Sequence, residues 1–150
     1  MTRRKFRTGK YIPRNPEKYR GDVEKITYRS SWELKCFEFL DNNKNILEWG
    51  SEIVVIPYIK PENIRAGRPI VSRYFPDLWV KTRRSDGTII EEVIEIKPLR
   101  QAMPSQRKTE KARLRENQTY ELNVAKWRAA KKWCEERGIH FRILTEQTLF

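Results

Sequence analysis

The stretch from Tyr74 to Lys97 constrains the fold of this 150-residue chain more than any other. Residues 74–82 and 89–97 each read as a strand, rich in β-branched and aromatic side chains, and Ser85-Asp86-Gly87 stands between them. That is a hairpin, and the length of its loop decides which side chains meet. A two-residue Asp86-Gly87 turn would set Asp77 across from Ile96, on the opposite face from Glu95. A three-residue Ser85-Asp86-Gly87 loop instead suits glycine at its third, left-handed position. It pairs Arg84 with Thr88 and sets Asp77 directly opposite Glu95. Side chains opposed in this way share a face, with Cβ atoms about 4.5–5.5 Å apart. Glu95 and Lys97 also share a face, because side chains alternate along a strand.

Two carboxylates this close repel unless a cation lies between them. The three-residue loop therefore carries a second expectation, a divalent ion at Asp77 and Glu95. With oxygen ligands and no nitrogen or sulfur ligands, the ion expected is Mg2+, with Mn2+ as a substitute. Such an ion polarises a phosphoryl oxygen and lowers the pKa of a bound water. Lys97 would orient the attacking water or stabilise the developing charge. Each residue alone has a plainer reading. Asp77 would be a strand-end carboxylate, and Glu95 with Lys97 a solvated ion pair worth under about 1 kcal/mol. The three together in one register favour metal-assisted cleavage of a phosphodiester.

Charge points to the same substrate. Lys and Arg number 32 against 20 Asp and Glu, for a net charge of +12. A balance this basic implies a polyanionic partner, of which nucleic acid is the commonest. Residues 1–25 read as an arm with Phe6, Tyr11 and Tyr19 interleaved among basic residues. Arg3, Arg4, Lys5, Arg7 and Lys10 in it are candidate phosphate contacts, or else solvated charges on a segment draped over the fold. The segment 98–117 offers Arg107, Lys108 and Lys111, as a basic loop or a solvated helix. No base-reading motif is visible.

Cys36 and Cys134 lack a CxxC partner and read as buried thiols in a reducing compartment, and the single histidine, His140, reads as structural. A structural zinc site is thereby excluded. No apolar run opens the chain as a signal peptide would, and none approaches the roughly 20 residues of a membrane span.

The chain reads as a single domain with a core over 30–146. Residues 31–42 predict a helix, opened by the Ser30 and Glu33 spacing of a capping box. Glu33 lies inside its apolar arc of Trp32, Cys36, Phe37 and Leu40, a costly place for a carboxylate unless the cap, a metal site or a cation network compensates it. Residues 46–60 predict a strand kinked near Gly50, 61–72 a loop, 119–137 a helix capped by Gly138, and 139–144 a last strand. Lys126 falls on the inward face of that helix, placed to reach a phosphate or the site carboxylates, or else snorkelling to solvent. Helix, three strands, helix, strand makes an α/β fold with a mixed sheet.

Pro76-Asp77, followed after 17 residues by Glu95-Ile96-Lys97, resembles the PD-(D/E)XK nuclease signature. That superfamily has a restriction-endonuclease-like αβββαβ core, with a mixed four-stranded sheet flanked by helices. The resemblance implies that Glu33 adds a metal ligand or supports the site, and that the Ile96 backbone carbonyl is a further ligand. More narrowly, the chain resembles the head-completion nucleases of large T-even-like phages, relatives of the TnsA transposon endonuclease. Arg29-Ser30-Ser31-Trp32-Glu33, Phe75-Pro76-Asp77, Glu95-Ile96-Lys97 and Phe141-Arg142-Ile143-Leu144-Thr145-Glu146 carry the likeness.

The resemblance implies an Mg2+-dependent endodeoxyribonuclease that finishes packaged double-stranded DNA in the host cytoplasm during virion assembly. Portal or neck proteins would be its partners. Two rivals stay open: a head-closure protein that binds DNA without cutting, and a TnsA-like subunit that cuts only with a partner.

Overall fold

The computed structural model describes residues 8–149. The elements in order are β1 (Gly9–Lys10), β2 (Thr27–Tyr28), α1 (Ser31–Asn42), β3 (Ile46–Ser51), β4 (Ile56–Tyr58), α2 (Pro61–Arg65), β5 (Ser72–Tyr74), β6 (Leu78–Arg83), β7 (Ile89–Ile96), α3 (Glu110–Glu135), β8 (His140–Leu144) and α4 (Glu146–Leu149). Four strands form the central sheet in the order β3-β6-β7-β8. The first three are antiparallel and β8 runs parallel to β7, so the sheet is mixed. No helix among the described residues is long and apolar enough to cross a membrane.

Strand alternation sends successive residues to opposite layers. Leu78, Val80 and Ile94 pack with Phe37 and Leu40 of α1 and with Trp49. Trp79 and Val93 face the other way and pack with Cys134 of α3. Helices therefore cover both faces, and the sheet is a filled middle layer.

The hairpin has the three-residue loop. Arg84 N donates to Thr88 O at 2.8 Å, and Gly87 takes a φ of +87° that side-chain-bearing residues rarely adopt. The ladder pairs Leu78 with Ile94, so one step further Asp77 stands across from Glu95.

Four expectations need correction. The strand read over 74–82 begins only at Leu78, because the chain breaks at Phe75-Pro76 and leaves Tyr74 in β5, in another sheet. The second long helix begins at Glu110 rather than near residue 119. Its first turns, Glu110-Lys111-Ala112-Arg113-Leu114-Arg115-Glu116, are strong helix formers without an apolar stripe, so propensity sustains a helix that hydrophobic period does not mark. The strand read over 46–60 is two strands in different sheets. Glu52 takes a φ of 54°, the chain leaves the central sheet there, and β4 pairs with β5 in a separate two-stranded ribbon packed against α3. The loop read over 61–72 opens with one helical turn, started by Pro61 at the first position.

The described part of the basic arm is draped over the fold. Arg20 N donates to Trp49 O at 2.8 Å, alongside the edge of β3. Gly50 permits this approach, since a Cβ there would lie 2.8 Å from the Arg20 carbonyl. Asp41, at the last turn of α1, receives hydrogen bonds from the Tyr11 hydroxyl and from the Arg14 and Asn15 amides. The Lys18 ammonium closes the helix end by donating to the carbonyls of Leu40, Asp41 and Asn43, each at 2.8 Å.

Candidate active site

The kink at Phe75-Pro76 separates β5 from β6 and presents Asp77 at the end of the central sheet. Glu52 N donates to the Asp77 carbonyl at 3.1 Å, which ties the end of β3 to the same place. The Asp77 carboxylate accepts a 2.7 Å hydrogen bond from Ile96 N. It also lies within hydrogen-bonding reach of the Glu95 carboxylate.

Burial first, and the charge of Glu95 second, push Asp77 up to about 7. Glu95 is only 6% exposed, and burial pushes it up as well, against the pull of the Tyr74 hydroxyl and of Lys97. Lys97 Nζ stands 3.9 Å from Glu95 Oε1, with its side chain 27% exposed. Asp77, Glu95 and Lys97 thus converge at one end of the sheet.

Glu33 sits on the α1 side of the same end. Its amide donates to Ser30 Oγ at 3.1 Å, and its carboxylate accepts from Arg29 N at 2.6 Å, so the helix cap is formed. Burial raises its pKa, opposed by the Arg29 amide, and the Asp77 charge adds to the rise. Cys36, one turn along, is pushed up to about 11 by burial and then by Asp77 and Glu33. Glu33 therefore caps a helix while its charge lies in the field of the pair.

Lys126 reaches the site from α3. Its ammonium lies 5.7 Å from the Tyr74 ring centre and 6.0 Å from that of Tyr58. Burial lowers its pKa, Lys97 and Lys60 add to this, and Glu95 opposes it.

The other basic candidates lie apart. Lys10, Lys108 and Lys111 are exposed. Arg107 is exposed and paired with Glu116, with Nε 3.2 Å from Oε2. Arg3, Arg4, Lys5 and Arg7 lie outside the described residues.

Four residues at the site carried no sequence signal strong enough to find them. Tyr74 donates from its hydroxyl to Glu95, yet reads in sequence only as a strand aromatic. Tyr58 falls in the run read as a strand, and Trp127 in the helix read over 119–137. Glu52, paired with Arg29 and held in a left-handed backbone conformation, stands in a stretch whose pattern is that of a strand.

The donor set fits a small hard cation. The pair is buried and mutually repelling, and without a cation the two carboxylates can be this close only by retaining a proton. Among the described residues no group of three or more His, Cys, Asp or Glu side chains forms a ready-made cage. The fit therefore rests on two carboxylates, with main-chain oxygen and water to complete the shell, as Mg2+ accepts.

A mixed sheet with helices on both faces and an acidic pair with lysine at its end defines a restriction-endonuclease-like α/β architecture. A family model described as the TnsA-like endonuclease N terminal matches residues 43–146, a span that contains Asp77, Glu95 and Lys97. The chain belongs to this TnsA-like endonuclease family. It is 44% identical over 148 residues to the head completion nuclease of Enterobacteria phage T4, a match covering 95% of this chain and 93% of that protein.

Proposed function

We propose that the protein is a DNA endonuclease of phage head completion, dependent on Mg2+ or, as substitute, Mn2+. The observation that carries the metal dependence is the Asp77–Glu95 pair, two carboxylates drawn together out of water with both pKa values raised. The 44% identity to a head completion nuclease supports the biological setting.

Asp77, Glu95 and the Ile96 carbonyl would hold the ion, with Glu33 supporting the site from α1. Bound there, the ion supplies Lewis acidity toward a phosphoryl oxygen and a more acidic water. The chain's own groups do the rest. Ile96 N orients the Asp77 carboxylate through its 2.7 Å hydrogen bond. Lys97, beside Glu95 and partly exposed, is placed to hold the attacking water or the charge that builds on the phosphoryl oxygens.

Double-stranded DNA is the substrate in this reading. Lys10, Lys108 and Lys111 grip its backbone without reading sequence, together with Arg3, Arg4, Lys5 and Arg7 of the arm. Such binding weakens steeply with salt. In this reading the protein acts in the host cytoplasm, with portal or neck proteins as its partners.

The test is nicking of supercoiled plasmid by purified protein with Mg2+, Mn2+ or EDTA, beside Asp77→Ala and Lys97→Ala. Metal-dependent nicking that is lost in both variants is the expected result. No cutting by the wild type, with equal DNA binding in all three proteins, would leave a DNA-binding protein that does not cut by itself.

A further inference from the structure

Tyr74 touches both halves of the site. It ends β5, is 5% exposed, and comes from the ribbon packed on α3 rather than from the central sheet. Its hydroxyl donates to Glu95 Oε2, while Lys97 addresses Oε1. The Trp127 indole approaches the same hydroxyl from α3. A carboxylate anchored through one oxygen cannot swing, and groups that orient a metal ligand in this way govern its affinity.

The ring does something different. Tyr58 and Tyr74 stand 6.5 Å apart and nearly perpendicular, at 81°, and the Lys126 ammonium lies near both faces. Aromatic faces attract an ammonium without neutralising it. Among the described residues Lys126 makes no ion pair or hydrogen bond; the charges of Lys97 and Lys60 repel it and that of Glu95 attracts it. Lys97 already has Glu95 as its partner, whereas the Lys126 ammonium, held on tyrosine rings, keeps its hydrogen-bonding capacity for an anion such as a DNA phosphate.

We infer that Tyr74 is a positioning residue with two separable roles: its hydroxyl sets Glu95 to receive a divalent cation, and its ring seats Lys126 against the DNA backbone. The inference rests on the metal-dependent nuclease reading above and adds to it the device that couples metal site and substrate grip.

The two roles come apart by mutation of the full chain. Mn2+ affinity is measured by calorimetry without DNA, and affinity for a duplex by fluorescence anisotropy in EDTA. Tyr74→Phe keeps the ring and loses the hydroxyl, so Mn2+ affinity falls about ten-fold while metal-free DNA affinity stays at the wild-type value. Lys126→Gln does the reverse: Mn2+ affinity does not fall, DNA affinity drops, and the slope of log K against log salt becomes shallower by about 0.9. Tyr74→Leu loses both. Where Tyr74→Leu fails to fold, Tyr74→Phe and Lys126→Gln carry the test.

Wild-type Mn2+ affinity in Tyr74→Phe would overturn the hydroxyl's role. An unchanged salt slope in Lys126→Gln would overturn the seat. A wild type that binds no Mn2+ would instead bring down the metal reading itself, and the hydroxyl's role with it.

Discussion

Asp41, at the last turn of α1, and the Asp77–Glu95 pair, at the end of the central sheet, are carboxylates drawn out of water by the same fold and supplied with opposite surroundings. Asp41 is fully buried and meets only donors: the Tyr11 hydroxyl and the amides of Arg14 and Asn15. Burial pushes its carboxyl up, but these hydrogen bonds more than offset it and leave the pKa below the ordinary value. Asp77 has one amide and faces a second carboxylate, and burial and that neighbour carry it up to about 7. A buried acid given enough donors is a clamp. A buried acid facing another acid stores a deficit that a cation relieves, and a site of that kind is kept for chemistry at the expense of stability.

The comparison breaks most sharply in activity. Asp77→Ala lowers the rate of metal-dependent nicking about 1,000-fold or more, the loss of several kcal/mol of transition-state stabilisation. Asp41→Ala leaves the rate per folded molecule unchanged. A quantitative plasmid assay on both variants, normalised to folded protein, checks the pair.

Stability reverses the order. Asp41→Ala leaves the buried Tyr11 hydroxyl and two partly buried amides without their acceptor and costs about 3 kcal/mol. For a chain of this size that lowers Tm by roughly 10 °C, read by thermal melting in EDTA.

The pH dependence of stability separates the two regions in one sample. Asp77 holds its proton in the folded state up to about 7, whereas its ordinary value is 3.8. Stability from this site is therefore full below the ordinary value and falls as pH rises toward 7. Glu33 and Glu95, also raised, act in the same direction. Asp41 has the opposite sign: its contribution is present above its ordinary value of 3.8 and is lost as pH falls through the lower folded value. Melting in EDTA across the acid and neutral range should show both limbs, and Asp77→Asn should make only the neutral one shallower, with Glu33 and Glu95 keeping the remainder.

The smallest effect sharpens the clamp. Lys18→Met removes the ammonium that serves three carbonyls at the end of α1 and costs about 1 kcal/mol. Its Tm falls by a few degrees, with nicking and Mn2+ affinity unchanged.

How far this was legible in sequence varies with the kind of force involved. The Asp77–Glu95 opposition was legible because it follows from strand period and a glycine that tolerates a positive φ at residue 87. Helix α1 was legible because its cap and its apolar arc agree. The early start of α3 was not, because Leu114, the large apolar residue of its first turns, is 60% exposed and marks no face. The break at Glu52 was not, because Ile53 and Val54 keep a strand-like composition while packing toward the α3 side. Tyr74 and Asp41 escaped for a shared reason. Each acquires its role from a partner distant in sequence, and Tyr11 with Asp41, or Tyr74 with Glu95, leaves no local pattern.

The most direct test of the account is the melting temperature of wild type and Asp77→Asn, in EDTA and in saturating Mn2+, at a pH above the Asp77 value of about 7. The account predicts that Mn2+ raises the wild-type Tm, that Asp77→Asn in EDTA melts at or above the wild type, and that Mn2+ no longer raises it. A wild type whose Tm is the same in EDTA and Mn2+, together with an Asp77→Asn variant that melts lower, would contradict it.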